Sequence, residues 1–369
     1  MKIEVYSPTI RRKEMDAVLT AMVEDKIGPG DRARLLIQTA KEHLGFDYAM
    51  ALRSPATALH FALKALNLEQ GQGVLVSALS PRYYFHVIKD LQLTPLFCDV
   101  SYDNPCINPQ TIEKAIAQKP AGVEARCIIL HHTLGFLPDA AAVAQMGLPV
   151  IEDISQSYGT FASVEGEGAE GEGAESDKDT PGASGKAPDM AAIHGVFTIL
   201  GLEERDMLTS GGGALLFSMN RRDSAVLKNF TSVPNEYCLP DINAAMAIVQ
   251  FKEFARNTQR RGEIARIYTQ SSMRGRHKRF VQPQESRYNN YAFPLVLEAG
   301  LKDVVAYARK KEIVVESAFE QSLAGTGISE PENCPASHSL SLRTVLFPLY
   351  PRLRSQEAER VSKLIMTLP

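Results

Sequence analysis

Short β-branched runs alternate with segments of helical periodicity through the first half of this chain, and this alternation limits the fold more than any other feature. The clearest strand candidates are residues 73–76, 96–100, 127–131 and 149–153. Helical spacing of apolar residues falls between them, as in 56–66 and 109–116. Strands that alternate with helices are typical of βαβ units. The sequence therefore predicts an α/β fold around a mostly parallel central sheet.

A second region follows the alternating part. It opens with a long helical stretch over 241–267, continues through a strand over 291–297 and closes with a helix over 355–366. Because 369 residues exceed what one hydrophobic core usually supports, two domains are expected. We predict a large domain over residues 1–240 and a smaller C-terminal α+β domain over 241–369.

The regular pattern breaks between residues 164 and 186, where the sequence reads VEGEGAEGEGAESDKDTPGASGK. Such an acidic, glycine-rich stretch cannot bury enough apolar surface to offset its chain entropy. It predicts a disordered surface insertion; an acidic patch that docks a basic partner is the alternative. Residues 208–217 then read as a glycine turn that leads into a buried strand.

Charge and cysteine content exclude several classes of function. The net charge of −3 gives no electrostatic reason to expect nucleic acid or an anionic membrane surface as a partner. No stretch has the uninterrupted apolar length of a spanning helix, and no signal peptide is evident, so we expect a cytoplasmic protein. Five scattered cysteines form no CxxC pair, which predicts reduced thiols and no metal site.

Two segments carry a resemblance to a known family. PVIEDISQSYG at 149–159 and YCLPDINAA at 237–245 resemble segments of the DegT/DnrJ/StrS family of sugar aminotransferases. Members of that family are fold type I enzymes that use pyridoxal phosphate (PLP). Weaker matches lie at 58–63, 95–100, 132–135 and 347–351, and all the segments occur in the order that they have in the family. The resemblance implies a homodimer, a nucleotide-sugar ligand and a place in amino-sugar or polysaccharide biosynthesis.

The resemblance also implies the residues that would hold PLP. Asp153 matches the family's aspartate beside the pyridine nitrogen, where a carboxylate keeps that nitrogen protonated so that the ring accepts electrons. Gln156 matches a residue near the 3-hydroxyl of the ring, and His132 lies in the segment that is similar to the family's HLYG. Without the family, Asp153 would be read as an ordinary strand end.

The phosphate turn departs from the family pattern. Family members hold the phosphate with an SGT-like turn at a helix N-terminus, where free N–H groups attract the anion. This chain has Ser54, Pro55, Ala56 and Thr57 there. Proline has no N–H, and alanine replaces a hydroxyl, although Thr57 could substitute one position late.

Two further cofactor contacts also depart from the pattern. The aromatic residue that stacks on the ring in the family aligns with Pro81, with Tyr83 or Tyr84 available after a shift. Aligning Tyr237 with the family's tyrosine places Glu236 where a partner-subunit asparagine would reach the phosphate. A carboxylate there would repel the phosphate.

The Schiff-base lysine of the family has no counterpart. Three ways of counting place it at Ile199, Glu203 or Arg205, so the position falls between Ile199 and Arg205. No lysine occurs between Lys186 and Lys228. Transamination needs an amine both to form the imine and to move a proton, and arginine serves neither role well.

Three hypotheses follow. The first is a degenerate family member that keeps the fold and dimer but neither retains PLP nor transaminates. The second is a lysine-free PLP enzyme, similar to a sugar 3-dehydratase branch of the family, with His194 as the base. The third is a working aminotransferase with a displaced lysine, Lys178 or Lys186, from the acidic insertion. Because several contacts depart together, the sequence favours the first.

Overall fold

The structure is a computed structural model that describes residues 2–161, 193–230, 232–281, 286–298 and 300–369. The predicted disordered insertion at 164–186 lies outside the described residues, and so do Lys178 and Lys186.

A large sheet of seven strands forms the centre of the first part of the chain. Its strands are β1 Tyr48–Leu52, β2 Gly73–Ser77, β3 Thr94–Cys98, β4 Ala125–His131, β5 Val150–Asp153, β6 Phe197–Gly201 and β7 Ala214–Ser218. They lie in the order β1-β7-β6-β5-β4-β2-β3. All neighbours from β6 to β3 pair in parallel, whereas β7 runs antiparallel to both β6 and β1. The predicted α/β fold with a mostly parallel sheet is therefore confirmed.

A second, antiparallel sheet of three strands lies in the C-terminal region. Its strands are β8 Phe293–Val296, β9 Glu316–Ser317 and β10 Thr344–Phe347, in the order β8-β10-β9. The helices of the chain, in order, are α1 Arg12–Val23, α2 Asp31–Leu44, α3 Pro55–Ala65, α4 Tyr83–Asp90, α5 Pro109–Gln118, α6 Ala140–Ala144, α7 Arg221–Lys228, α8 Asp241–Ser272, α9 Leu301–Lys310, α10 Pro335–Arg343 and α11 Ser355–Met366. Among the described residues, 3₁₀ turns cover Thr133–Gly135 and Asn235–Tyr237.

The long helix α8 belongs to two hydrophobic cores. Near its start, Ala244, Ile248 and Phe251 pack with residues of α2 and β7. Towards its end, Ile264 and Tyr268 pack with the small sheet, α9 and α11. The boundary near residue 240 remains a prediction, and the structure adds that one continuous helix joins the two regions.

The start of α8 is also tied to α2. The buried carboxylate of Asp241 accepts hydrogen bonds from the backbone N–H groups of Arg32 at 3.1 Å and Ala33 at 2.9 Å. These are among the N–H groups that the first turn of α2 leaves unpaired, so Asp241 caps α2 from another element. A Cβ at Gly30 would lie 2.8 Å from this carboxylate, which explains why glycine precedes α2.

No helix among the described residues is both long enough and apolar enough to cross a membrane. Within the same ranges, no group of three or more His, Cys, Asp or Glu side chains is arranged to hold a metal ion.

Candidate active site

A cavity of about 530 Å³ lies outside the carboxyl ends of the central parallel strands. His131 ends β4, Asp153 ends β5, and the loop after β6 forms a third side. Residues 316–322 of the C-terminal region cover it from above. Clefts at this edge of an open α/β sheet are the usual place for ligands, so this cavity is the candidate site.

Asp153 lies at the floor of the cavity with 1% of its surface exposed. Its Oδ2 accepts hydrogen bonds from the hydroxyl of Tyr84 at 2.5 Å and from that of Tyr83 at 3.3 Å. Its Oδ1 accepts from the backbone N–H of Ser155 at 3.0 Å and from the Ser155 hydroxyl. A carboxylate offers about four acceptor positions, and all of them are in use here.

Gln156 lines the cavity, but its side-chain oxygen is already bound to a backbone N–H of the protein. Its Oε1 accepts a hydrogen bond from the backbone N–H of Leu134 at 2.6 Å. Leu134 has a φ of 55°, in the left-handed region that a branched residue seldom adopts. Gln156 therefore holds the turn that follows β4.

The N-terminus of α3 retains few donors for an anion. The hydroxyl of Ser54 accepts from the Thr57 N–H at 3.1 Å, and the two hydroxyls lie 2.9 Å apart. Pro55 has no N–H, and the N–H of Ala58 is bound to the Ser54 carbonyl. Of the first four residues of the helix, only Ala56 keeps an N–H without a partner in the described structure, which is weak provision for a phosphate.

The residues considered for stacking on the cofactor ring and for the partner-subunit contact lie in the cavity wall, in the core and at the surface. Pro81 and Tyr83 line the cavity, while Tyr84 is fully buried beneath it. Burial and the nearby Asp153 carboxylate raise the pKa of both tyrosines well above the ordinary value, so both remain protonated donors. Glu236 and Tyr237 lie in an exposed 3₁₀ turn.

The loop between β6 and β7 brings carboxyl groups to the cavity. Ile199 is fully buried within β6, whereas Glu203 and Arg205 line the cavity. Arg205 is the one lysine or arginine among the described lining residues, and its guanidinium is bound to Glu316. Sequence counting stopped one residue short of Asp206, which also lines the cavity.

Asp206 lies close enough to Asp153 for the charge of Asp153 to act on its carboxyl. Burial of the Asp206 carboxyl, followed by the like charges of Asp153 and Glu203, raises its pKa to about 7, although the backbone N–H of Glu203 at 2.9 Å acts in the opposite direction. Part of the residue stays accessible from the cavity. An acidic group therefore stands in this loop where the sequence analysis looked for an amine.

The structure brings neither His132 nor His194 to the cavity. His132 is 4% exposed, and its Nδ1 lies 2.7 Å from the hydroxyl of Ser157. Its Nε2 lies 3.4 Å from Oε2 of the buried Glu152, without the alignment of a hydrogen bond. His194 is exposed and precedes β6, at the opposite end of the sheet from Asp153, so it does not lie on the strand that enters the site.

Sequence reasoning missed other residues that line the cavity. His131 occupies it instead of its neighbour His132, because the last side chain of β4 faces it while the next one turns into the core. The sequence did hold one hint of Asp206. It directly precedes the apolar pair Met207 and Leu208, which is buried, and this position favours partial burial of its side chain too. Tyr291 and Glu316 come from distant segments and gave no local signal.

Comparison with known proteins agrees with the fold. The DegT/DnrJ/EryC1/StrS aminotransferase family matches residues 8–175 and 216–366. Many solved structures have a similar fold, and three examples match over nearly their whole length. The aminotransferase TlmJ from Streptoalloteichus hindustanus has a TM-score of 0.82 at 16% identity, covering 99% of this chain and 98% of the other.

A DegT DnrJ EryC1 StrS aminotransferase from Brucella abortus gives a TM-score of 0.80 at 20% identity, covering 96% of this chain and 94% of the other. The E. coli GDP-4-keto-6-deoxy-D-mannose-3-dehydratase with bound hydrated PLP gives 0.78 at 13% identity, covering 99% of both chains. At these identities the likeness concerns the fold.

Proposed function

Because the chain belongs to the DegT/DnrJ/EryC1/StrS aminotransferase family, we propose that it keeps the family fold around a small-molecule cavity but does not carry out PLP-dependent transamination. One observation supports this most directly. The four acceptor positions of Asp153 are taken by Tyr83, Tyr84 and Ser155, so none is free for a protonated ring nitrogen. The residues present therefore do not fit PLP.

Two further features support the same conclusion. The N-terminus of α3 offers a phosphate one unpaired N–H, at Ala56, and the lining acids would repel the phosphate. The described lining residues include no lysine, and the loop after β6 presents Asp206 instead. A carboxyl cannot form an imine with an aldehyde.

Mixing the purified protein with PLP tests this proposal. We expect no shift of the visible absorption of PLP, and no pyridoxyl adduct in the intact mass after borohydride reduction. The double variant Tyr83→Phe, Tyr84→Phe, which frees Oδ2 of Asp153, is a matched comparison that shows whether the tyrosines alone keep the ring out.

Two other outcomes would contradict the proposal and identify its rivals. Bound cofactor without a protein adduct would point to a lysine-free enzyme. A reduced adduct on Lys178 or Lys186 would point to an aminotransferase with a displaced lysine.

We propose, on family membership, that the chain acts in the cytoplasm beside enzymes of amino-sugar or polysaccharide synthesis and takes a nucleotide sugar or a part of one. The acids that line the cavity would repel a diphosphate, so a nucleotide would lie outside it.

We also propose a homodimer. Along one exposed face of α1, Met15, Leu19, Met22 and Val23 are 52%, 55%, 51% and 84% exposed, which is an unusual apolar stripe for a free surface. Ile27 extends it, and its carbonyl accepts from the start of α8 at 3.4 Å. The stripe thus borders the 235–242 segment, whose family counterpart reaches the partner subunit.

The double variant Leu19→Glu, Val23→Glu is expected to turn the dimer into a monomer, because two charges would have to be buried in the interface. Light scattering after gel filtration measures the change. Met273→Glu, at a residue 76% exposed near the end of α8, is the control and should remain a dimer. A parent protein that is monomeric at micromolar concentration would contradict the proposal.

A further inference from the structure

Acidic side chains outnumber basic ones around the cavity. The lining acids are Asp153, Glu203, Asp206, Glu316 and Glu320. Arg205 is the one lysine or arginine among the described lining residues, and Glu316 already neutralises it. The charge of the remaining acids has no cation to balance it in the described part of the chain.

Asp206 concentrates this excess. The charged groups that act on its carboxyl are Asp153 from β5 and Glu203 from its own loop. Both are acids, so both oppose its ionisation. Tyr6, Tyr83 and Tyr291 face it from other elements. The buried Arg261 acts on Tyr6 and Tyr291 but is not among the groups that shift the pKa of Asp206. Two neighbouring carboxyl groups with no cation beside them disfavour the ionisation of Asp206. A cationic ligand would stabilise its ionised form.

An independent observation concerns His131, which lines the cavity and is 3% exposed. Its Nδ1 lies 3.3 Å from the Tyr84 oxygen, and the Tyr84 hydroxyl donates to Asp153. Since that hydroxyl proton is used on Asp153, the Tyr84 oxygen can only accept, so Nδ1 carries the proton. Nε2 is then an acceptor, and it has no hydrogen-bond partner among the described residues.

Burial lowers the pKa of His131, since the charged ring is desolvated, although Asp153 opposes this effect. His131 therefore favours the neutral form, and its acceptor nitrogen has no hydrogen-bond partner among the described residues. Because His131 lines the cavity, a donor on a ligand there could bind to this nitrogen.

We propose that the cavity binds the primary ammonium group of a small polar molecule, with Asp206 and the Nε2 of His131 as its acceptors. Tyr83 and Tyr291 also line the cavity, and aromatic rings attract cations. The volume of about 530 Å³ suits a molecule of monosaccharide size. The inference rests on the proposed function, because a PLP ring would fill the same space.

Calorimetric titration with 6-amino-6-deoxy-D-glucose tests the proposal, with D-glucose as the uncharged control on the same scaffold. We expect the amino sugar to bind at least about tenfold more tightly than glucose. Asp206→Asn should remove that preference. Glu204→Gln, which removes one charge from the exposed neighbour outside the cavity lining, should preserve it.

The pH dependence gives a second measure. With a pKa of about 7, Asp206 is mostly protonated at pH 6 and mostly ionised at pH 8, while the ligand's aliphatic ammonium stays charged. Affinity should therefore rise by up to about tenfold between those values in the parent protein and hardly change in Asp206→Asn.

Equal binding of both sugars, no binding of either, or the same preference in Asp206→Asn and Glu204→Gln would overturn the inference. The PLP titration on the same preparation separates the two proposals. Absence of PLP binding together with absence of amine binding would overturn only the ammonium site, whereas a PLP adduct would overturn the proposed function as well. Thermal melts of the variants show whether each is folded.

Discussion

Replacing Asp206 with asparagine is expected to stabilise the protein by about 2 to 4 kcal/mol near pH 8 and hardly at all near pH 4. Folding raises the pKa of this carboxyl from 3.8 to about 7, so the folded state binds the proton more tightly than the unfolded state does. Stability is therefore lost as the pH rises from about 4 to about 7, because ionisation is then easier in the unfolded chain. Asparagine has no proton to lose and keeps an acceptor for the Glu203 N–H.

Urea unfolding curves of the parent protein and of Asp206→Asn at both pH values measure this difference. Glu204→Gln makes the equivalent change at the exposed neighbour and should shift stability by less than about 0.5 kcal/mol. If Asp206→Asn is destabilising near pH 8, then the ionised Asp206 does not lower the stability of the folded protein, contrary to our inference. A stabilising loss of charge together with lost ammonium binding would be a trade between stability and function at one residue.

Glu152→Ala is expected to destabilise the protein by about 2 to 4 kcal/mol. The Glu152 side chain is 1% exposed, and its Oε1 accepts hydrogen bonds from the backbone N–H groups of His194, at 2.6 Å, and Gly195. Its Oε2 lies 3.4 Å from Nε2 of His132. Alanine would remove the acceptor of the two backbone N–H groups and would leave a cavity as well.

Urea unfolding again measures the effect, and Glu152→Gln serves as the matched variant. The amide oxygen can still accept from the two N–H groups, so the glutamine variant should lose clearly less stability than the alanine variant. Equal losses in the two variants would mean that packing, rather than hydrogen bonding to the entry of β6, accounts for the role of Glu152.

The sequence predicted most of the regular structure because the apolar periodicities are local. The closing helix was predicted at 355–366 and is found as Ser355–Met366. The long helix begins at Asp241 as predicted and extends five residues past 267. The central strands were predicted to within a few residues because parallel strands buried on both faces form apolar runs.

The site was less predictable because it depends on which way side chains turn at strand ends and in loops. His131 and His132 are neighbours, yet one faces the cavity and the other is buried beside Ser157 and Glu152. The family resemblance pointed to Asp153 but could not show that Tyr84 already binds it. Asp206 was missed by one position because the three ways of counting to the lysine position ended at Arg205.

The long helix α8 has a consequence for how such a site changes over time. Its two ends are anchored in separate cores, and the side chains that anchor them do not line the cavity. Substitutions among the lining residues therefore leave both anchors of α8 untouched. The chemistry of the cavity can change while the helix that joins the two regions keeps its packing at both ends.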